Sequence, residues 1–172
     1  MLTPSGCLVA DPPLYEEPPR TPPVFDLAQA DPPISRPVVV DTTSSEPLVF
    51  AVPFRSEDRG EILFASLHLD YNILRVGSSF TGVEREFAAS TFDDLGRTMS
   101  LPWDLFGGVP AGCHTLTLLA SHVSTWETSE FRPNPITGVD DSARVVWWLN
   151  VDPPEDEVDT LRDCPTPSTG PT

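Results

Sequence analysis

The chain has 172 residues, is 39% hydrophobic and carries a net charge of −16, with arginine supplying all ten of its Lys+Arg positions. Such a charge repels phosphate backbones and anionic lipid head groups, which argues against nucleic acid as a partner and against direct electrostatic adhesion to a bilayer. The length suits one domain with long tails, and no apolar run approaches the roughly 20 residues of a membrane-spanning helix.

Proline marks the organisation. Twelve of the 21 prolines fall in the first 53 residues and five in the last 20. Asp11-Pro12-Pro13, Glu17-Pro18-Pro19, Thr21-Pro22-Pro23 and Asp31-Pro32-Pro33 exclude helix and inner strand, because proline fixes φ and lacks an N–H. Residues 1–34 are therefore expected to be a Pro-rich acidic tether, disordered or polyproline II. At about 3.1 Å per residue, the stretch from 8 to 34 reaches roughly 80 Å. Its one compact apolar group is Val24, Phe25 and Leu27, either incidental hydrophobicity or a group that docks onto the domain.

Residues 35–152 read as the folded unit. Seven strand-like segments are expected: Arg36–Thr42, Leu48–Phe54, Glu61–Asp70, Arg85–Thr91, Arg97–Leu101, Cys113–His122 and Arg144–Asp152. Turn signals such as Asp58-Arg59-Gly60, Asp93-Asp94-Leu95-Gly96 and Gly107-Gly108 separate them. No segment keeps a helical period, so the expected class is all-β, a sandwich of about seven antiparallel strands. The alternation in Glu61–Asp70 slips around Ser66-Leu67, which suggests a bulge. In Cys113–His122, the residues His114, Leu116, Leu118 and Ala120 share one face, and Cys113, Thr115, Thr117 and Ser121 the other. In the last strand, Val145, Trp147, Leu149 and Val151 alternate with Val146, Trp148 and Asn150, so one of the adjacent tryptophans is core and the other lies on the outer surface or beneath a loop. From 153 to 172, the run Asp152-Pro153-Pro154-Glu155-Asp156-Glu157 and the later Pro/Thr sequence read as a solvated acidic tail.

Chemistry is hard to find. His114 and His122 lie eight apart on one strand, about 26 Å, too far for one metal ion. His68 stands on a neighbouring strand with no third ligand in view, so each histidine reads as a packing or hydrogen-bonding residue. No nucleophile elbow, zinc-protease motif or phosphate loop occurs. The acidic pairs Asp93-Asp94 and Asp140-Asp141 and the run from Glu155 to Asp159 lack a calcium-loop spacing and read as solvated turns. The sequence thus nominates no catalytic residue, metal ligand or cofactor. Trp103 and Phe106 in a Gly-containing loop, Trp126 after His122, and Trp148 are candidates for a binding surface, since an exposed ring stacks on the apolar face of a sugar. The competing reading is that the loop tryptophans plug the ends of the sandwich.

Two resemblances add to this. Val109-Pro110-Ala111-Gly112-Cys113-His114-Thr115-Leu116-Thr117-Leu118 resembles the penultimate strand of immunoglobulin-like and fibronectin type III-like domains, with His114 where those families often place the tyrosine of the tyrosine corner. The resemblance implies an immunoglobulin-like sandwich and no particular function. It also implies that the last two strands are antiparallel neighbours, so the chain leaves the last strand beside Cys113. Eleven residues then separate Asp152 from Cys164, enough for a Cys113–Cys164 disulfide. The alternative is two free thiols, as in a reducing compartment. At the start, Pro4-Ser5-Gly6-Cys7 resembles the end of a bacterial lipoprotein signal peptide, although Pro4 departs from the usual leucine and only six residues precede Cys7. It implies lipidation of Cys7, a signal peptide in the precursor and, because Leu8 follows the cysteine, an outer-membrane protein facing the periplasm or the cell surface. The alternative is a free surface thiol.

Together these readings lead to a non-enzymatic lipoprotein of the cell envelope, held at a membrane by Cys7 and presenting a β-sandwich to an unidentified protein partner or to envelope assembly. The alternative is a carbohydrate-binding module that uses surface tryptophans.

Overall fold

The computed structural model describes residues 19–71, 84–89, 96–103, 109–122, 126–127, 132–133, 141–162 and 164. The described residues are all-β apart from short 3-10 turns, among them Leu27–Gln29 and Glu155–Glu157, and no helix among them is long and apolar enough to cross a membrane. The strands are β1 (Val24–Phe25), β2 (Val38–Val40), β3 (Leu48–Arg55), β4 (Leu63–Leu69), β5 (Arg85–Phe87), β6 (Arg97–Trp103), β7 (Gly112–Ser121), β8 (Trp126–Glu127), β9 (Arg132–Pro133) and β10 (Ser142–Val151). One sheet has the order β1-β3-β6 and the other β2-β10-β7-β4-β5; β8 and β9 pair as a small ribbon. Pairing is antiparallel except between β2 and β10, which run parallel with Val38 opposite Leu149 and Val40 opposite Val151.

Period-2 alternation directs one face of each sheet into a shared core. Phe50, Val52, Phe54, Met99, Leu101 and Trp103 come from one sheet. Leu63, Leu67, Leu69, Leu116, Leu118, Val145, Trp147, Leu149 and Val151 come from the other. Burying a side chain of this size contributes about 1.5–3 kcal/mol, so this layer outweighs any surface contact in the molecule. The rings interlock across it: Phe50 stands edge-on to Trp147 at 5.1 Å and to Trp103 at 6.2 Å, and Phe54 meets Phe87 at 5.9 Å.

Strand β4 runs in unbroken register with β7 from Phe64 opposite Ser121 to Leu69 opposite Leu116, so the bulge expected at Ser66-Leu67 is absent. The pattern slips there because both faces of the strand are covered. Leu63, Ala65, Leu67 and Leu69 face the core, while Ser66 and His68 on the opposite face are also buried. The expected strand Arg85–Thr91 is shorter, ending at Phe87.

Both ends of the folded unit extend past the expected boundaries at 34 and 153. On the N-terminal side, Val24 and Phe25 pair with Arg55 and Phe54, and Asp31 forms a two-way backbone bridge with Ala51. Phe25 packs against the core, whereas Val24 and Leu27 stay exposed. The proline pairs allow this: β1 is extended, and as an edge strand it needs little from its own N–H groups. On the C-terminal side, the side-chain amide of Asn150 faces the carbonyls of Glu157, Val158 and Thr160 at 3.0–3.2 Å, which folds residues 155–160 back over the end of β10. Asp152, at φ 46°, donates its N–H to Val40 and accepts from the N–H of Thr42, fastening the end of β2 to the end of β10.

Candidate functional site

His68 and His114 sit on the β4–β7 pair and His122 directly follows β7; each is buried. The register explains their separation: His68 lies opposite Thr117, three positions from His114 and five from His122, so no two of them meet.

His114, near the start of β7, donates from Nε2 to the carbonyl oxygen of Pro110 (2.9 Å). Its Nδ1 lies 2.7 Å from Oδ2 of Asp70, and both side chains are almost wholly buried. Oδ1 of Asp70 accepts from the N–H of Thr115, and the Asp70 N–H returns to the carbonyl of Thr115. This arrangement closes the end of the β4–β7 ladder and satisfies a carboxylate that would otherwise be costly to bury. Asp70 adopts φ 49°, a left-handed conformation that aspartate tolerates better than most residues.

His68 has Nε2 2.6 Å from the hydroxyl of Ser66, and its ring lies 5.6 Å from that of Tyr71. Burial lowers its pKa to about 4, because a charged imidazolium there would lose its hydration.

The densest constellation lies at the other end of β7. His122 follows the strand and its side chain is fully buried. Nε2 lies 3.2 Å from the hydroxyl of Ser56, just after β3. Nδ1 faces two carboxylates, Asp141 at 2.5 Å, immediately before β10, and Asp58 at 3.8 Å, in the β3–β4 turn. Each of the three residues offers a ligand atom within 4.8 Å of the others. Gly60, at φ 84°, supplies the left-handed residue that reverses the chain after Asp58. The N-terminal arm joins here too: Thr21 donates its N–H (2.6 Å) and its hydroxyl (3.1 Å) to Oδ2 of Asp58.

Ser56, His122 and Asp141 are connected as a nucleophile, base and orienting acid would be. The local charge opposes acyl transfer, however. Two carboxylates, Asp58 and Asp141, face the His122 ring that contacts Ser56, and negative charge at such a site destabilises the oxyanion that the reaction develops. The same negative field favours a bound cation.

Cys113, at the start of β7, forms a disulfide with Cys164, 51 residues later. The tryptophans fall into different places. Trp103 is 4% exposed and packs edge-on to Phe50, so it is core and not part of a binding platform. Strand β6 runs two residues past its expected end at Leu101, and alternation from Met99 and Leu101 turns Trp103 inward. Trp147 is fully buried and Trp148 is 36% exposed, on the outer face of β10 with Val146 and near Val39 of β2. Trp126 is part of β8; Phe106, Cys7 and the pair Asp93-Asp94 lie outside the described residues.

The Asp58–His122–Asp141 cluster escaped the sequence reading because its members are far apart in the chain and carry no motif. A signal was available in the strand ends: if His122 closes β7 and Asp141 opens the next strand, antiparallel pairing of the two strands brings them together.

Neither a protein-family model nor a curated protein matches the chain. Among solved structures, the chain has a distant likeness to the fusolin of spindles from a Wiseana entomopoxvirus, at 15% identity and a TM-score of 0.34. The match covers 76% of this chain and 47% of that one, so the chain spans about half the length of the fusolin. A likeness this weak carries no argument about fold or function.

Proposed function

We propose that the chain is a non-enzymatic, membrane-tethered lipoprotein of the cell envelope, whose β domain serves protein–protein contact or envelope assembly. The Cys113–Cys164 disulfide is the observation that carries the reading. A disulfide that closes 51 residues persists in an oxidising compartment and is rare where glutathione keeps thiols reduced. A lipid on Cys7 is the further expectation from Pro4-Ser5-Gly6-Cys7, and residues 8–20 would then set the distance between membrane and domain.

An immunoglobulin-like architecture for the domain is supported by two features. The strand order β1-β3-β6 against β2-β10-β7-β4-β5 accommodates an A-B-E sheet facing one that contains C, F and G. The bond from His114 back to Pro110 does what the tyrosine of a tyrosine corner does, joining a side chain near the start of the penultimate strand to backbone a few residues upstream. The favoured partner surface is the outer face of β2 and β10, where Val39, Val146 and Trp148 leave apolar area in water. The carbohydrate-binding alternative is weakened by the burial of Trp103.

Mass spectrometry of the N-terminus of the native protein tests the reading. A diacylglyceryl- or triacyl-modified Cys7 as first residue is expected. An intact Met1, or a mature chain with an unmodified Cys7, would overturn the membrane anchor.

A further inference from the structure

We propose that Asp58, His122 and Asp141 form a binding site for a divalent metal ion of the zinc class, which fastens the base of the N-terminal arm to the domain. The donors come from three separate segments: the β3–β4 turn, the end of β7 and the start of β10. They converge on one nitrogen: Nδ1 of His122 has Asp141 at 2.5 Å and Asp58 at 3.8 Å, with all three ligand atoms within 4.8 Å of one another.

Three features go beyond proximity. First, the imidazole is fully buried while the carboxylates are partly exposed, at 20% and 17%, so the ring is held rigid on a side that ions can still reach. Second, the ring nitrogen that faces away from the carboxylates lies 3.2 Å from Ser56 Oγ. Histidines that bind metal characteristically donate their other N–H to such a partner, which fixes the tautomer and the ring orientation. Third, the charge has the right sign. Two carboxylates this close repel each other, and a divalent cation neutralises both.

The donor set selects the ion. One imidazole and two carboxylates suit zinc and its neighbours, whereas calcium requires six to eight oxygens. A neutral ring without metal donates Nδ1–H to Asp141 and accepts at Nε2 from the Ser56 hydroxyl. With the ion on Nδ1, the single ring proton resides on Nε2 and is donated to Ser56. Binding therefore exchanges one tautomer for the other.

The arm is coupled to this site through Asp58, whose Oδ2 accepts from both the N–H and the hydroxyl of Thr21. An ion that fixes Asp58 also fixes Thr21, the residue after Arg20.

The test uses the full chain with Cys7→Ser, which removes a competing thiolate, with the disulfide intact and metal stripped by a chelator. Zinc chloride is titrated while the ring nitrogens of His122 are followed by 15N NMR and the Arg20–Thr21 bond is probed with trypsin. One zinc per chain is expected, with the His122 proton moving to Nε2, trypsin cleavage slowed, and an equal concentration of calcium without effect. Asp58→Asn and Asp141→Asn, both isosteric, each remove an anionic ligand and are expected to weaken zinc binding by more than about tenfold, the lower bound for losing even an outer-shell partner. The proposal is overturned if saturating zinc leaves the His122 nitrogens unmoved in the Cys7→Ser protein, or if the Asp58→Asn/Asp141→Asn double variant binds zinc as its parent does.

Discussion

The indole N–H of Trp147, at the centre of β10, donates to the carbonyl oxygen of Pro32 at 2.7 Å, across 115 residues of chain. A fully buried core tryptophan is thus satisfied by the segment that the composition presents as a loose tether. Removing that segment would strand a buried indole donor, and an unsatisfied buried polar group costs about 1–3 kcal/mol. A chain beginning at Arg36 is expected to be less stable by at least that amount in urea unfolding, since the Phe25 contact and the Asp31–Ala51 bridge are lost with it. Unchanged stability would show that the arm is only laid against the domain.

Cleaving the tail from β7 should have a larger effect. In the chain-entropy description, a cross-link closing 51 residues stabilises by about 4 kcal/mol. Cys164→Ser should lower the urea midpoint by a corresponding amount without altering the β-sheet circular dichroism. Thiol titration of the unreduced, denatured protein should find at most one reactive thiol, belonging to Cys7.

Acid should weaken the fold through His68. Its pKa falls from about 6.5 unfolded to about 4 folded. Between those values the unfolded chain binds a proton that the folded chain refuses, so stability rises with pH across that window and is lost as pH falls through it. The span corresponds to roughly 3 kcal/mol. His68→Gln retains a partner for Ser66 and removes the titration, so its stability between pH 4 and 6.5 should be flatter than that of the parent. Parallel profiles would refute the assignment.

At the opposite end of β7, Oδ2 of Asp70 lies 2.7 Å from Nδ1 of His114, with both side chains out of water. Removing one partner of such a pair characteristically costs about 3–5 kcal/mol. Asp70→Ala is expected in that range, since it also strips the acceptor from the Thr115 N–H. In a double-mutant cycle with His114→Phe, the second substitution should cost much less than it does alone; additive losses would mean that the two residues act independently.

Light should separate the adjacent tryptophans. Trp148→Phe should reduce the acrylamide-quenchable part of the emission and change stability by no more than about 0.5 kcal/mol. Trp147→Phe should leave the quenchable part intact and destabilise the fold by leaving a cavity beside Phe50.

The strands were legible because their periodicity is local. Val145, Trp147, Leu149 and Val151 announce a buried face wherever the strand lies, and Cys113 at the start of β7 placed its partner once the last two strands were taken as neighbours. For the arm the sequence leaves two outcomes open: Pro22-Pro23 and Pro32-Pro33 dictate extended backbone, and an extended segment serves equally as a free tether or an edge strand. What decides is a partner, here Phe54 and Arg55, which composition does not reveal. Trp103 is expected in a loop beside Gly107-Gly108, yet β6 continues through Pro102, which an edge strand tolerates, and alternation turns the indole inward. The histidine–carboxylate cluster carries no local motif: His122 and Asp141 meet through the β7–β10 register, and Ser56 and Asp58 reach them only through the end of β3 and the turn that follows it.

The parallel pairing of β2 with β10 has a mechanical consequence. The chain enters β2 from the arm and leaves β10 toward the tail, so a pull between these two points draws the strands along their length in opposite directions. The backbone bonds of that pair, together with the clasp of Asp152 on Thr42, would be loaded in shear and yield together, not peel apart one at a time. Beyond Cys164 the covalent link to Cys113 offers the same force a second path, into the start of β7.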